Sequence, residues 1–280
     1  MIKALSTHLF VYYELDPRIL ELVSAQGFRV VELWGMQPHF PYRDEKKLGE
    51  LNKTLSDLGI KVCSGHLPIY REVWKARDLS NRLFPSDPDP LVRRACVDEV
   101  VLAAMALKEA GAKIVVIHTD LKPGEVDTRK GYFLDSMAAI IERLRSYNLT
   151  LAVENDPGEI SYIRELKDIV DSHGGGDAGI CLDIGHANIG GDPADAVREI
   201  GEAIVSVHAS DNDGSSDSHL TPGKGEVDWK RVIKALDEVG FSGPFVYEIR
   251  DQTSGRDPDF KFHRNVLEEV RRFNETISPS

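Results

Sequence analysis

Strand-like and helix-like segments alternate along the whole chain. Continuous apolar runs of this kind are typical of parallel strands buried on both faces. Eight strand–helix units within 280 residues predict a single domain, residues 1–280, folded as an α/β (β/α)8 TIM barrel. The predicted strands cover 2–10, 29–35, 60–66, 113–119, 149–156, 178–186, 203–211 and 243–249. The predicted helices cover 17–25, 44–59, 91–111, 129–146, 160–174, 192–202, 228–240 and 260–275.

A doubly wound open sheet is the structural alternative to the barrel. That fold places a glycine-rich phosphate loop after its first strand, whereas the first strand here is followed by THLFVYYELDP. Helix signals support the barrel's boundaries: Pro17 suits a first helical turn, and Asp192 before Pro193 is a plausible cap. We therefore favour the closed barrel.

Charge and cysteine content limit the partners and the compartment. With 34 basic and 46 acidic side chains the formal net charge is −12, which argues against a nucleic-acid partner. The three cysteines are odd in number and widely spaced, and Cys63 and Cys181 lie in apolar runs as buried thiols would. The start MIKALSTHLF is too polar for a signal peptide, and no run has membrane-spanning length. These features predict a cytoplasmic protein with no membrane partner.

Metal-ligand residue types end six consecutive predicted strands. In a barrel all strands point the same way, so the residues at their C-terminal ends gather at one rim. Histidine and carboxylate at such positions predict a shared divalent-metal site. The six residues are His66, His118, Glu154, Asp183, His208 and Glu248.

Two of these residues are glutamates that end strongly apolar strands. Glu154 follows LAV and Glu248 follows FVY. A buried carboxylate needs a charged partner or a metal. Two carboxylates on opposite sides of a metal-bound substrate could also remove and return a proton, so both are candidate catalytic residues.

Further candidates surround the six strand-end residues. Gly185 in DIGH allows a sharp turn between Asp183 and His186. Asp217 and His219 lie in a polar loop, for which simple solvation is the alternative. Arg250 would point to the same side as Glu248 if the strand continued, where it would bind a substrate oxygen or form a rim salt bridge. His8 would line the pocket, and Trp34 would provide a flat apolar wall. All the residues of this paragraph are candidates for binding the substrate or a further metal ion.

The stretch 67–89 interrupts the regular alternation. It mixes aromatic residues such as Tyr70 and Trp74 with basic residues such as Arg71 and Arg82. Interleaved basic and aromatic residues suit stacking on nucleic-acid bases, a lid over a small-molecule pocket, or a subunit contact. We favour the lid or the contact, and the long helices are likewise compatible with a homo-oligomer.

Five motifs together resemble the xylose isomerase-like barrel superfamily, which includes sugar isomerases and epimerases, inosose dehydratases and endonuclease IV. The resemblance covers essentially the whole chain. The motifs are VEND at Glu154, LDIGHAN at Asp183 and His186, SVHASD at His208, DSHLTPGKGEVDW, and the closing YEIR. They are specific to the superfamily but not to one reaction.

The isomerase and epimerase branch implies a metal centre on Glu154, Asp183, His208 and Glu248, with both glutamates as the acid–base pair. The metal would be manganese, magnesium, cobalt or zinc, and more than one ion could bind. The substrate would be a sugar, polyol or related hydroxy-ketone. This is the first functional hypothesis.

The endonuclease IV branch implies three zinc ions and cleavage of DNA at abasic sites. The positions of its wider ligand set are also filled here, by His66, His118, Glu154, Asp183, His186, His208, Asp217, His219 and Glu248. The segments GMQPHFPYRD and LPIYREV do not resemble that branch's DNA-intercalating loops, however. A zinc phosphodiesterase is therefore the alternative hypothesis, together with an inosose-type dehydratase using the same site.

Overall fold

Eight parallel strands form a closed barrel in the order β1 to β8, and β8 pairs with β1. A computed structural model describes residues 1–121, 126–157 and 160–277. The predicted (β/α)8 TIM barrel is confirmed. The strands are β1 Ile2–Ser6, β2 Val30–Trp34, β3 Lys61–His66, β4 Ile114–His118, β5 Thr150–Glu154, β6 Ala178–Asp183, β7 Ile204–Ala209 and β8 Pro244–Tyr247.

Helices cover the outside of the barrel. They are α1 Pro17–Ala25, α2 Glu45–Asp57, α3 Pro90–Glu109, α4 Val126–Leu144, α5 Ile160–His173, α6 Ile184–Gly190, α7 Pro193–Ile200, α8 Trp229–Glu238 and α9 Lys261–Ile277. Aspartate caps several of them: Asp16 accepts from Ile19 N, and Asp192 accepts from Ala194 N ahead of Pro193. These contacts satisfy backbone N–H groups that a helix start leaves unpaired.

Seven of the eight strands end earlier than the sequence predicted, and for β1 and β6 a side-chain cap explains why. The first predicted strand, 2–10, stops at Ser6, whose hydroxyl accepts from His8 N and begins a 3₁₀ turn over Thr7–Phe10. The sixth, 178–186, stops at Asp183, which caps α6. The eighth stops at Tyr247, so Glu248 lies just past the strand. Side chains that hydrogen-bond to their own backbone terminate strands in a way that hydrophobic patterning does not reveal.

Apolar and polar side chains of the strands are both buried in the barrel. Val116, Ala152 and Cys181 pack together as a separate apolar cluster within it. Cys181 is fully buried as predicted, whereas Cys63 is partly exposed, so its predicted burial was wrong. The Cys63 thiol does not join an apolar cluster. It donates to the backbone carbonyl oxygen of Val31, on the neighbouring strand β2. Among the described residues, none of the helices combines the length and apolar character that crossing a bilayer requires.

Candidate metal centre and active site

Strand pairing brings the predicted ligand residues to one rim of the barrel. His118 and Glu154 are register partners across β4 and β5, and Asp183 and His208 are partners across β6 and β7. His66 ends β3, and Glu248 directly follows β8. The six strand-end residues therefore surround a common centre, as the parallel barrel requires.

The tightest cluster consists of Glu154, Asp183, His208 and Glu248, all buried. One ligand atom from each lies within 4.8 Å of the others. Nδ1 of His208 is 2.9 Å from Oε1 of Glu154 and 3.1 Å from Oε2 of Glu248. Three carboxylates and one imidazole nitrogen form a donor set that suits manganese, magnesium, cobalt or zinc.

Asp183 is held rigidly but keeps one oxygen unused. Its backbone is clamped by the Asn155 side chain, which accepts from Asp183 N at 2.7 Å and donates to Asp183 O at 3.1 Å. Oδ1 accepts from His186 N at 2.6 Å, whereas the buried Oδ2 has no hydrogen-bond partner in the described part of the chain. Burial raises the pKa of the Asp183 carboxyl. A buried carboxylate oxygen without a donor is costly, and a cation would satisfy it.

Both glutamates are ionised in this setting. Burial acts to raise the pKa of Glu154, but the charges of His208 and His118 outweigh burial and hold that pKa well below its usual range. The pKa of Glu248 is likewise lowered against burial, chiefly by His208. The carboxylates are thus available as metal ligands or as proton acceptors.

A second group of ligand types consists of His66, His118 and Glu154. Oε2 of Glu154 is 3.2 Å from Nε2 of each histidine. Nδ1 of His66 lies 2.8 Å from Leu67 O, and Nδ1 of His118 lies 2.9 Å from Oδ1 of Asp156. Burial acts to lower the pKa of His118, but the charges of Glu154 and Asp156 raise it to about 9.

A third group consists of His186, Asp217 and His219. Oδ1 of Asp217 is 3.4 Å from Nε2 of His186 and 3.0 Å from Nε2 of His219. His219 is only 6% exposed, so simple solvation is wrong for this residue, whereas the Asp217 side chain is 34% exposed. Hydrogen bonds from both histidines outweigh partial burial and lower the pKa of Asp217. The loop is anchored by the buried Asp211, which accepts from Gly223 N and Val227 N.

His8 and Trp34 form one wall of the centre. Their rings stack with centroids 3.9 Å apart. The Trp34 indole N–H also donates to Oε1 of Glu248 at 2.9 Å, so Trp34 is more than an apolar wall. His8 Nδ1 lies 3.7 Å from the same oxygen and has no hydrogen-bond partner among the described residues. Burial lowers the pKa of His8 to about 3 and keeps the imidazole neutral.

Arg250 does not continue strand eight. The strand ends at Tyr247, and Arg250 is exposed at the rim, where it donates to Oδ2 of Asp217 at 3.1 Å. The condition for Arg250 to share a side with Glu248, that the strand continue, is not met, because the backbone leaves the sheet and Arg250 N donates to His219 O. The rim salt bridge, one of the two roles predicted for Arg250, is present in the structure.

The sequence did not identify Glu32 and Asp156. Glu32 lies in the middle of β2 and contacts His208 from inside the barrel. Asp156 follows β5 by two residues and contacts His118 and Thr119. A charged residue inside the apolar run VVELW was a signal for Glu32, because such a charge requires partners. For Asp156 the only sequence signal of a role in the site was its position in the motif VEND.

Ion pairs tie the stretch 67–89 to α3 and to the segment that follows β4. Arg71 bonds to the buried Glu99 at 2.9 Å, and Arg82 bonds to Asp120 at 2.9 Å. Its outer surface leaves Trp74 and Leu79 exposed. A lid and a subunit contact both stay predictions for this segment.

Comparison with known proteins agrees with the predicted resemblance. A family model described as a xylose isomerase-like TIM barrel matches residues 20–273, which confirms it. Protein MJ1311 of Methanocaldococcus jannaschii is 31% identical over 189 residues, 62% of this chain and 64% of that relative, so the match spans less than two thirds of its length. D-psicose 3-epimerase of Enterocloster bolteae is 24% identical over 246 residues, 82% of this chain and 75% of the enzyme. The crystal structure of the IolI protein, which holds a zinc atom, covers 99% of this chain and 98% of its own at a TM-score of 0.79 and 17% identity.

Proposed function

The chain belongs to the xylose isomerase-like TIM-barrel family, and we propose that it is a divalent-metal-dependent isomerase or epimerase of a sugar, polyol or related hydroxy-ketone. One observation carries the proposal: two ionised glutamates, Glu154 at the end of β5 and Glu248 just past β8, face the same nitrogen of His208 at about 3 Å. The D-psicose 3-epimerase relative and the zinc-holding IolI structure support this assignment.

The residues at the centre fit a metal ion. Glu154, Asp183, His208 and Glu248 would hold it, and the unpartnered Oδ2 of Asp183 is the donor that most requires a cation. When bound, the ion would polarise a substrate carbonyl and an adjacent hydroxyl. Manganese, magnesium, cobalt and zinc all accept this combination of oxygen and nitrogen ligands.

The two glutamates would carry the proton transfer. One carboxylate removes the proton from the carbon beside the carbonyl. For epimerisation the other glutamate, once it has taken up a proton from water, delivers that proton to the opposite face of the same carbon, and the first glutamate releases its proton to water. For isomerisation the first glutamate returns the proton it removed to the neighbouring carbon. The lowered pKa values of Glu154 and Glu248 leave both groups able to accept a proton at neutral pH.

Other side chains would bind and orient the substrate. Trp34 holds Glu248 in place through its indole N–H. His8 has a buried, unpartnered nitrogen beside Glu248, and His118 and His186 lie across the cluster from it. These groups would bind substrate hydroxyls, which have both hydrogen-bond donors and acceptors. Small-molecule sugars are accordingly the proposed partners.

The proposal is tested with Glu154→Gln and Glu248→Gln. Purified protein loaded with each candidate metal is incubated with ketohexoses in D₂O, and deuterium incorporation at carbon is followed by NMR. Each variant should keep its circular dichroism spectrum and lose exchange by about 10²- to 10⁴-fold. Glu99→Gln is the matched control, because Glu99 is a buried glutamate that bonds to Tyr42 and Arg43 away from the cluster. Full exchange in either glutamate variant would refute the assignment.

A zinc-dependent phosphodiesterase acting at abasic DNA sites is the second candidate. The observation that favours it is that the outer ligand groups, His66–His118–Glu154 and His186–Asp217–His219, are assembled beside the central cluster. Three tightly held zinc ions per chain with nicking of an abasic duplex would support it. One or two exchangeable ions with deuterium exchange into a ketose would support the epimerase. Failure of both assays would favour the dehydratase on the same site.

A further inference from the structure

Glu32 is a fully buried carboxylate inside the barrel, beneath the metal-ligand cluster. It lies in the middle of β2, and its side chain reaches residues of three other strands, β1, β3 and β7. An ionised carboxylate away from water is costly unless it accepts hydrogen bonds or faces a positive group. The partners of Glu32 therefore indicate what it does.

Those partners occupy both carboxylate oxygens. The Ser6 hydroxyl donates to Oε1 at 3.2 Å, and the Ser64 hydroxyl donates to Oε2 at 2.8 Å. Oε2 also lies 3.2 Å from Nε2 of His208. The two serines hold the carboxylate in one orientation, and the remaining lone pairs of Oε2 point at the imidazole.

The opposite nitrogen of the same imidazole faces the metal-ligand cluster. His208 Nδ1 lies about 3 Å from Glu154 and Glu248, the two carboxylates of the proposed centre. A neutral imidazole carries one proton, and the nitrogen without it supplies the lone pair that binds a metal. Which nitrogen keeps the proton thus decides whether His208 can be a ligand.

We infer that Glu32 is the positioning residue that makes His208 a metal ligand. When a cation lies among Nδ1 and the carboxylates of Glu154 and Glu248, the single proton of the neutral imidazole must lie on Nε2, where the Glu32 carboxylate accepts it and holds the ring facing the cluster. The reverse tautomer would place the Nε2 lone pair against a carboxylate oxygen. A carboxylate that accepts the distal N–H of a ligating histidine also raises the basicity of the ligand. The inference rests on the proposed metal centre but holds for sugar and phosphodiester chemistry alike.

The test measures metal affinity in Glu32→Gln. The amide preserves the volume and can still bond to Ser6 and Ser64, but it lacks the negative charge that selects the tautomer. Competition with a chromophoric chelator for Zn²⁺ and Co²⁺ should show an affinity loss of about 10- to 100-fold. The absorption spectrum of the Co²⁺ protein should shift, because the His208 ligand field changes. Glu99→Gln should lower the melting temperature without changing either readout.

A second measurement does not depend on the stability of the variant. In zinc-loaded unsubstituted protein, long-range ¹H–¹⁵N NMR should show the His208 proton on Nε2. A proton on Nδ1, or an affinity in Glu32→Gln equal to that of the unsubstituted protein, would overturn the role of Glu32. If the unsubstituted protein binds neither metal, the proposed centre itself is refuted and the role of Glu32 with it.

Discussion

The indole N–H of Trp34 donates a 2.9 Å hydrogen bond to Oε1 of Glu248, an oxygen of the carboxylate proposed to carry protons. The other oxygen of that carboxylate faces Nδ1 of His208 at 3.1 Å. Trp34 thereby fixes the rotation of the Glu248 carboxylate and assigns its two oxygens different neighbours. A residue expected from sequence as an apolar wall has a polar function as well.

Trp34→Phe should reduce turnover more than it reduces stability. Phenylalanine keeps the stacking on His8 but removes a hydrogen bond to a charged group, a loss of about 1.5–3 kcal/mol. If that bond orients Glu248 in the transition state, kcat/KM should fall by about tenfold to a hundredfold. Steady-state kinetics with the substrate found by deuterium exchange would measure this.

Trp229→Phe is the control for that prediction. Trp229 also donates its indole N–H to a buried carboxylate, Oδ2 of Asp211, at 2.9 Å. Asp211 keeps its backbone donors at Gly223 and Val227, so the loop it anchors should stay in place. Equal kinetic losses in the two variants would mean that Trp34 acts only through general stability.

Removing the metal should lower thermal stability. A ligand that binds only the folded state at a hundred times its Kd stabilises it by about 2.7 kcal/mol, and each kcal/mol shifts the melting temperature by about 2–4 °C. Chelator treatment should therefore lower the melting temperature by about 5–10 °C, as measured by differential scanning calorimetry.

Asp183→Asn should abolish this response to metal. The amide replaces the unpartnered oxygen with a group that binds divalent ions poorly and adds no charge to the cluster. Burial raises the pKa of Asp183 in the metal-free protein, so removing this ionisable group should not destabilise it. A metal-dependent shift in Asp183→Asn as large as in the unsubstituted protein would exclude Asp183 as a ligand.

His39 should make the protein sensitive to acid. It is buried, with Nδ1 2.7 Å from Tyr13 O and Nε2 2.9 Å from Thr7 Oγ1, and burial lowers its pKa to about 4 from an ordinary 6.5. Between these pH values the unfolded chain binds the proton and the folded protein does not. Stability from His39 is therefore complete above pH 6.5 and is lost as pH falls towards 4, by up to about 3 kcal/mol.

His39→Gln isolates this contribution. Urea unfolding at pH 7 and at pH 4 should show a smaller acid-induced loss in His39→Gln than in the unsubstituted protein. His173→Gln, which alters an exposed histidine at the end of α5, should leave the pH dependence unchanged. An identical pH profile in all three proteins would show that His39 titrates alike in the folded and unfolded states.

Gly185→Ala should destabilise the segment that carries Asp183 and His186. A Cβ at this position would overlap with Ser210 Oγ on the neighbouring strand end. Gly185 does not have a positive φ, so the turn from β6 into α6 does not require the conformational freedom of glycine, and close packing explains the glycine. Overpacking of this kind costs about 1–3 kcal/mol.

Ser210→Ala should rescue the Gly185→Ala variant. The substitution removes the overlapping oxygen, and Ser210 Oγ has no hydrogen-bond partner among the described residues. The double variant should therefore unfold at nearly the urea concentration of Ser210→Ala alone. If both substitutions destabilise additively, the overlap at Ser210 is not the cause.

Much of the barrel and of its rim could be predicted from the sequence. Strand ends at His118, Glu154 and His208 follow from apolar runs that stop at an ionisable residue, because parallel closure brings such ends together. Glu32 could not be predicted as a site residue in this way. It lies within a strand, and its role depends on which neighbours the closed barrel places around it.

The sequence alone determined the fold and the residue types at the rim, since hydrophobic periodicity and strand-end chemistry are local properties of the chain. Only the tertiary structure decided which atoms meet: that Nδ1 of His208 faces two carboxylates while Nε2 faces Glu32, and that His219 is buried beside Asp217. The physical reason is that strand register and side-chain rotamers are set by packing between segments distant in sequence, and a one-residue shift of register would turn each of these side chains to the other face.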